Sequence, residues 1–165
     1  MQLLLKPLIE HVRAQFAIDW TDIHGISHWA RVRSIGQRLA LETGADPAVV
    51  ELFAWLHDSR RFNDGTDPEH GRRAADLASA LQGKFFELTD NQLGLLREAC
   101  IGHSDGHTRA DPTVMTCWDS DRLDLGRIGI RPDPAYLCTA VARDPSVIKW
   151  AWLRSQRWAS FRRKP

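Results

Sequence analysis

Five times in this chain an aspartate is followed directly by proline, at residues 46, 67, 111, 133 and 144. Proline has no N–H to donate, and its φ already suits a first helical turn. The aspartate before it can accept from the free N–H groups of that turn. Each pair therefore reads as a helix start, and the apolar periodicity agrees. Leu4, Leu8, Val12 and Phe16 recur at four-residue spacing in a helix over 2–17. Trp29, Val32, Ile35 and Leu39 make the stripe of a second helix over 25–43, which Gly44 is placed to end. Asp46-Pro47 predicts a third helix running to about His57, and Asp67-Pro68 a fourth closed by Gly83. Thr89, with Gln92 three residues on, has the form of a capping box for a fifth helix reaching about His103. Asp111-Pro112 opens a sixth through Leu125, and Asp144-Pro145 a last one. No alternating strand pattern of useful length is present. The expected fold is all-α: a single domain over 1–165, its functional core at about 20–130, with a C-terminal helix over 144–162 docked on it.

A net charge of +1 gives no global field for nucleic acid or a membrane surface. No stretch approaches the length of a membrane span, and the first residues lack the basic flank and cleavage site of a signal peptide. Cys100, Cys117 and Cys138 are widely spaced and odd in number, which argues against a disulfide framework or a cysteine zinc site. A reducing, cytoplasmic location is expected. Near the C-terminus Arg154, Arg157, Arg162, Arg163 and Lys164 alternate with Trp152, Trp158 and Phe161. Such a mixture can bind single-stranded nucleic acid. An amphipathic helix docked on the domain with a solvated basic tail explains it more simply. Neither nucleic acid nor a membrane is the expected partner.

The apolar run from Val49 to Leu56 ends in His57-Asp58. Adjacent residues project about 100° apart on a helix. They converge on one point only if that point is large and charged. His28 lies on the stripe with Val32, Ile35 and Leu39; His57 shares a face with Val50 and Phe53, and Asp121 with Val114, Trp118 and Leu125. Each alone reads as a core residue in a histidine–carboxylate hydrogen bond. Together, on three helices, they point to a metal site. Two imidazoles and two carboxylates without a thiolate suit an open shell around Mn²⁺, Mg²⁺, Fe²⁺, Co²⁺ or Ni²⁺ better than a closed structural zinc. Such an ion can activate water and bind a phosphoryl oxygen.

The segments His24-Gly25-Ile26-Ser27-His28-Trp29-Ala30-Arg31-Val32, Leu56-His57-Asp58 and Asp119-Ser120-Asp121-Arg122-Leu123-Asp124 resemble the HD-domain superfamily of metal-dependent phosphohydrolases. Asp67-Pro68-Glu69-His70-Gly71, Ile101-Gly102-His103-Ser104 and the run from Asp121 to Ile130 are similar to its small bacterial branch. The resemblance implies the metal ligands His28, His57, Asp58 and Asp121, the last chosen because the family ligand directly precedes an Arg-Leu pair. It implies hydrolysis of a nucleotide or related phosphoester, of the pyrophosphohydrolase or phosphomonoesterase type. The Gly-Tyr-Pro element that marks cyclic-dinucleotide phosphodiesterases does not follow the His-Asp pair. The alternative is a catalytically weak nucleotide-binding or regulatory module on the same scaffold. A metal oxygenase on that scaffold needs a second iron and is disfavoured by the smaller number of suitably placed histidines.

Other residues take roles around this set. His70 and His103 stand where two-metal relatives hold a second ion. His70 otherwise contacts phosphate, protonates the leaving group or lies at the surface. Asp58 is the expected aid to water deprotonation, with His70, Arg60 and Arg61 as its catalytic companions. Guanidinium forks match phosphate oxygens, so Arg31, Arg60 and Arg61 join His103 and Asp124 as expected substrate contacts; Arg122 flanks Asp121. Asp124 is read as meeting a substrate hydroxyl, orienting a ligand or pairing with Arg127. His24 is either a cap or a site residue, His107 is solvated, and His11 is structural.

Overall fold

Asp46 accepts from the N–H groups of Ala48 and Val49 and starts helix α3, Pro47–Leu56. Asp111 accepts from Thr113 N–H at the head of α6, Pro112–Arg122. Asp133 caps the short 3-10 turn Pro134–Tyr136, and Asp144 accepts from Ser146 N–H at the head of α7, Pro145–Arg162. The computed structural model describes residues 3–162, with side chains through residue 160. Residues 1 and 2 and the tail residues Arg163 and Lys164 lie outside the described residues, as do the side chains of Phe161 and Arg162. The remaining helices are α1, Leu5–Ala14; α2, Ile26–Thr43; α4, His70–Leu81; and α5, Asp90–Gly102. Among the described residues there are two isolated β-bridges and no strand. Thr89 and Gln92 form the expected capping box, and Gly44 ends α2 with a φ of 71°.

Three boundaries differ from the sequence reading, the first two for a tertiary reason. Asp67 does not cap α4. Its carboxylate is taken by the Arg73 guanidinium at 2.6 Å and by Phe62 N–H at 2.9 Å, so the helix begins at His70. Helix α1 is shorter than 2–17. Leu4 N–H is drawn to Phe85 O at 2.8 Å, and beyond the helix Phe16 turns its ring edge-on to Trp20 and Trp29. Helix α6 stops at Arg122, and a 3-10 turn, Leu125–Ile128, follows.

Helix α3 is the centre of the molecule. Every residue from Val49 to Leu56 is buried, as expected of a helix apolar all round. It packs against α2, α4, α5 and α6. Its one buried charge, Glu51, is matched by Arg33 at 2.6 Å and Trp55 Nε1 at 2.9 Å. A smaller core joins Ile35 and Leu39 of α2 to Leu123, Leu137 and the α7 residues Val147, Ile148 and Ala151. Helix α7 also rests on the Leu125–Ile128 turn, where Gly126 gives Ser155 room to approach.

Helices α4 and α5 lie against each other through Gly71. A methyl group there would collide with the carbonyl oxygen of Cys100. Backbone cannot yield as a flexible side chain can. Gly71→Ala is therefore expected to cost about 1–3 kcal/mol by overpacking. Urea unfolding of the variant against wild type measures it.

Candidate metal centre

The chain delivers four imidazoles to one point, each already committed at one nitrogen. His28, on α2, directs Nδ1 to Asp124 Oδ2 at 2.7 Å. His57, just past α3, directs Nδ1 to Phe53 O at 3.1 Å, and its ring stacks on Phe53 at 4.8 Å. His103, just past α5, directs Nδ1 to Cys100 O at 2.7 Å, and His70, at the head of α4, to the carbonyl of Asp67. A carbonyl only accepts. So does the Asp124 carboxylate: burial works to raise its pKa, but His28 and Arg31 outweigh that and hold it below the usual range. Each Nδ1 therefore carries the proton in the neutral ring, and each Nε2 presents a lone pair.

These lone pairs meet in two pairs on either side of Asp58. His28 and His57 bring their Nε2 atoms to 3.1 Å, and His70 and His103 to 2.8 Å. Asp58 Oδ2 lies 3.6 Å from each Nε2 of the first pair, whereas Oδ1 lies 3.3 Å from His70 and 3.6 Å from His103. Asp121 Oδ1 completes the first group at 3.3 Å from His28 and 3.9 Å from His57. That oxygen is buried and has no hydrogen-bond partner among the described residues. The arrangement is repulsive unless a cation lies among the donors. Ligands about 2.1 Å from one ion stand roughly 3.0–3.4 Å apart, close to the spacing of this first group. Two imidazoles and two carboxylate oxygens, one of them the orphaned Asp121 Oδ1, thus fit a divalent metal ion.

The two pairs differ in what they can hold. Burial pushes His57 down to about 3, so this ring refuses a proton at neutral pH. At His103 burial also acts to lower the pKa, but hydrogen bonding to Asp58 and its charge outweigh it and raise the value. Arg61 adds a second cation here, with Nη1 3.2 Å from His70 Nε2 and 3.4 Å from Asp58 Oδ1. The group Asp58, His70 and His103 can accommodate a second ion, or a proton backed by Arg61.

The three carboxylates of the Asp119 to Asp124 run point to three places. Asp119 accepts from Cys138 N–H, Thr139 N–H and the Thr139 hydroxyl at 2.6–2.8 Å, a tie to the chain leading into α7. Asp121 faces the imidazoles. Asp124 is fully buried and receives Arg31 Nε at 2.6 Å, Arg31 Nη2 at 2.9 Å and the His28 ring. Asp124 therefore orients the His28 ring and is not exposed to a substrate hydroxyl. Arg31 is likewise not a substrate contact: both arms of its fork are on Asp124, and it lies over the Trp158 ring at 4.7 Å. Arg60 turns towards α1, where Nη1 meets Gln15 Oε1 at 3.2 Å, so the loop position that suggested a catalytic and substrate role does not carry its side chain to the centre.

A cavity of about 320 Å³ opens over Asp58 and Asp121, and Arg61, His103 and His24 line it. Arg61 is largely tied down, with Nε on Asn63 O and Nη2 on Gly65 O. His24 holds Asp64 at the rim, at 2.8 Å. Arg122 and Arg127 also line the cavity. Sequence reasoning gave Arg122 no more than a place beside Asp121 and read Arg127 only as a partner for Asp124. The signal for both was their position in the run that carries Asp121.

Comparison with known proteins agrees with this fold. The crystal structure of a predicted HD superfamily hydrolase from an uncultured Thermotogales bacterium matches with a TM-score of 0.69. The match covers 96% of this chain and 91% of that one at 23% sequence identity. No family model matches the sequence, and no curated protein matches it.

Two predictions follow from the pinned rings. In Asp124→Asn the His28 acceptor loses its charge and Arg31 its partner; Mn²⁺ affinity by calorimetry is expected to fall by roughly 10–100-fold. The second concerns acid. Folded His57 stays neutral down to about pH 3, whereas the unfolded chain protonates it near the ordinary imidazole value of 6.5. Between those values the unfolded state binds more protons, so this contribution to stability is lost as pH falls. The urea midpoint of metal-free wild type should drop from pH 6.5 to 4 more steeply than that of His57→Gln.

Proposed function

We propose that this chain, which has the helical fold of the HD superfamily, is a metal-dependent phosphohydrolase acting on a nucleotide or a related small phosphoester. One observation carries the reading: the Nε2 lone pairs of His28 and His57 converge with Asp58 and Asp121 at the floor of a cleft whose walls hold guanidinium groups. A divalent ion bound there supplies a Lewis acid that polarises a phosphoryl oxygen and acidifies water.

The chain's own residues do the rest. Asp124 and the backbone carbonyls hold the rings so that their lone pairs cannot turn away. Asp58, flanked by both ring pairs, is placed to take up the proton of an attacking water. His103 and His70, 2.8 Å apart at Nε2, can share a proton and deliver it to a leaving oxygen, while Arg61 Nη1 beside them stabilises negative charge. The cavity volume of about 320 Å³ is on the scale of small-molecule sites.

A second arrangement has its own support. Asp58, His70 and His103 also offer three ligand atoms within 4.8 Å of one another, enough to seat a second ion and so replace the shared proton. Metal per chain separates the two: His103→Ala lowers the content from two ions to one if both are metal sites and leaves it at one otherwise.

Mn²⁺-loaded wild type is expected to hydrolyse at least one member of a panel of nucleoside mono-, di- and triphosphates and simple phosphoesters. Asp58→Ala should lower that turnover on the order of 10³-fold or more. A folded, metal-loaded wild type that cleaves nothing on the panel would return the molecule to the binding-module alternative.

A further inference from the structure

Two guanidinium groups in the cleft have donors that the fold leaves unused. Arg122 is 9% exposed; its Nη1 donates to Tyr136 O at 2.9 Å and to Cys138 Sγ at 3.3 Å, and its Nη2 has no hydrogen-bond partner among the described residues. Arg127 is 8% exposed; its Nε donates to Ile23 O at 2.8 Å, and its Nη1 has no such partner. The carboxylates nearest Arg127, Asp121 and Asp124, stand at 3.9 Å, beyond hydrogen-bond reach. A buried charged donor without an acceptor is costly. Each arginine is anchored by another of its own nitrogens, so its guanidinium plane is fixed in position at the cavity wall.

Both residues line the cavity that holds Asp58 and Asp121. With Arg61, its wall carries three guanidiniums against two carboxylates, a surplus of positive charge before any divalent ion is counted. An anion with several oxygens balances that surplus, and a phosphoryl group matches a guanidinium fork.

We propose that the guanidinium groups of Arg122 and Arg127 bind the phosphoryl oxygens of the substrate and so form its main anion clamp. Naming the anion as a phosphoryl group rests on the phosphohydrolase reading; the two unpartnered donors do not. Arg122 and Arg127 thus take the role that the sequence assigned to Arg31 and Arg60.

The test is calorimetric titration of inorganic phosphate into Mn²⁺-loaded wild type, Arg122→Gln and Arg127→Gln, with thermal unfolding and nucleotide turnover measured beside it. The phosphate Kd should rise about tenfold or more in each variant, because a hydrogen bond to a charged group is lost. Where a substrate is turned over, KM should rise with it. Arg122→Lys and Arg127→Lys keep the charge and lose the fork; they carry the test if the glutamine variants do not fold, with a several-fold loss expected. Unchanged phosphate affinity in folded variants overturns the clamp, as does a wild type that binds no phosphate. A wild type that binds phosphate through both arginines yet hydrolyses nothing keeps the clamp and removes the hydrolase reading. Turnover with KM and phosphate affinity indifferent to both arginines does the reverse.

Discussion

The centre depends on a restraint at its rim: four imidazoles whose Nδ1 atoms are held by acceptors that cannot donate back. Three of those acceptors are backbone carbonyls within four residues of the ring they hold, Phe53 for His57, Cys100 for His103 and Asp67 for His70. The fourth is the Asp124 carboxylate, 96 residues from His28. A ring pinned in this way cannot relieve lone-pair repulsion by rotating. The repulsion is then built into the fold, together with the desolvation of Asp58 and Asp121, and it is relieved only by positive charge among the donors. Metal affinity and folding stability are therefore linked, since the ion that satisfies the donors also removes a strain the native state carries without it.

Helix packing decides where those rings stand. Because α3 is buried on every side, its C-terminal end opens inside the molecule, and His57 and Asp58 emerge there among α2, α4, α5 and α6 instead of in solvent. The close approach of α4 and α5 at Gly71 brings the start of one helix beside the end of the other. His70 and His103 are the residues at those two ends, and their ring centroids lie 4.6 Å apart. Neither position is exposed in the way a helix end usually is, and one of the carbonyls that the C-terminal end of α5 leaves free, that of Cys100, holds the His103 ring.

Local signals were legible in the sequence and long-range ones were not. The capping aspartates at 46, 111, 133 and 144, the Thr89 box and the Gly44 stop act within a few residues, so pattern alone locates them. Asp67 carries the same Asp-Pro signature but is claimed by Arg73 and Phe62, and no local rule shows that competition. The polar residues His28, His57 and Asp121 stood out because they share faces with apolar neighbours, and the structure brings them together with Asp58. Spacing could not say how the three carboxylates at 119, 121 and 124 divide their work, since that depends on Cys138, Thr139, His28 and Arg31. The arginines were least legible of all. Arg31, Arg60 and Arg61 are close in sequence to metal candidates, but a long side chain reaches several ångströms in any direction. The fold sends Arg31 to Asp124 and Arg60 to Gln15, and ties most of Arg61 to its own loop.

Taken from the interior outwards, the charges alternate in sign. Arg31 neutralises Asp124, Asp124 fixes the proton of His28, and His28 turns its lone pair to the point shared with His57, Asp58 and Asp121. Beyond those carboxylates stand Arg61, Arg122 and Arg127 on the cleft wall. Such layers offer two places, one for a cation among the lone pairs and, in the proposed function, one for an anion against the guanidiniums. Filling the first strengthens the second, because a divalent ion offsets the carboxylates that would otherwise repel an incoming oxyanion. In the proposed hydrolase, recognition of a phosphoryl group therefore begins with Arg31 and Asp124, two buried residues outside the cavity lining.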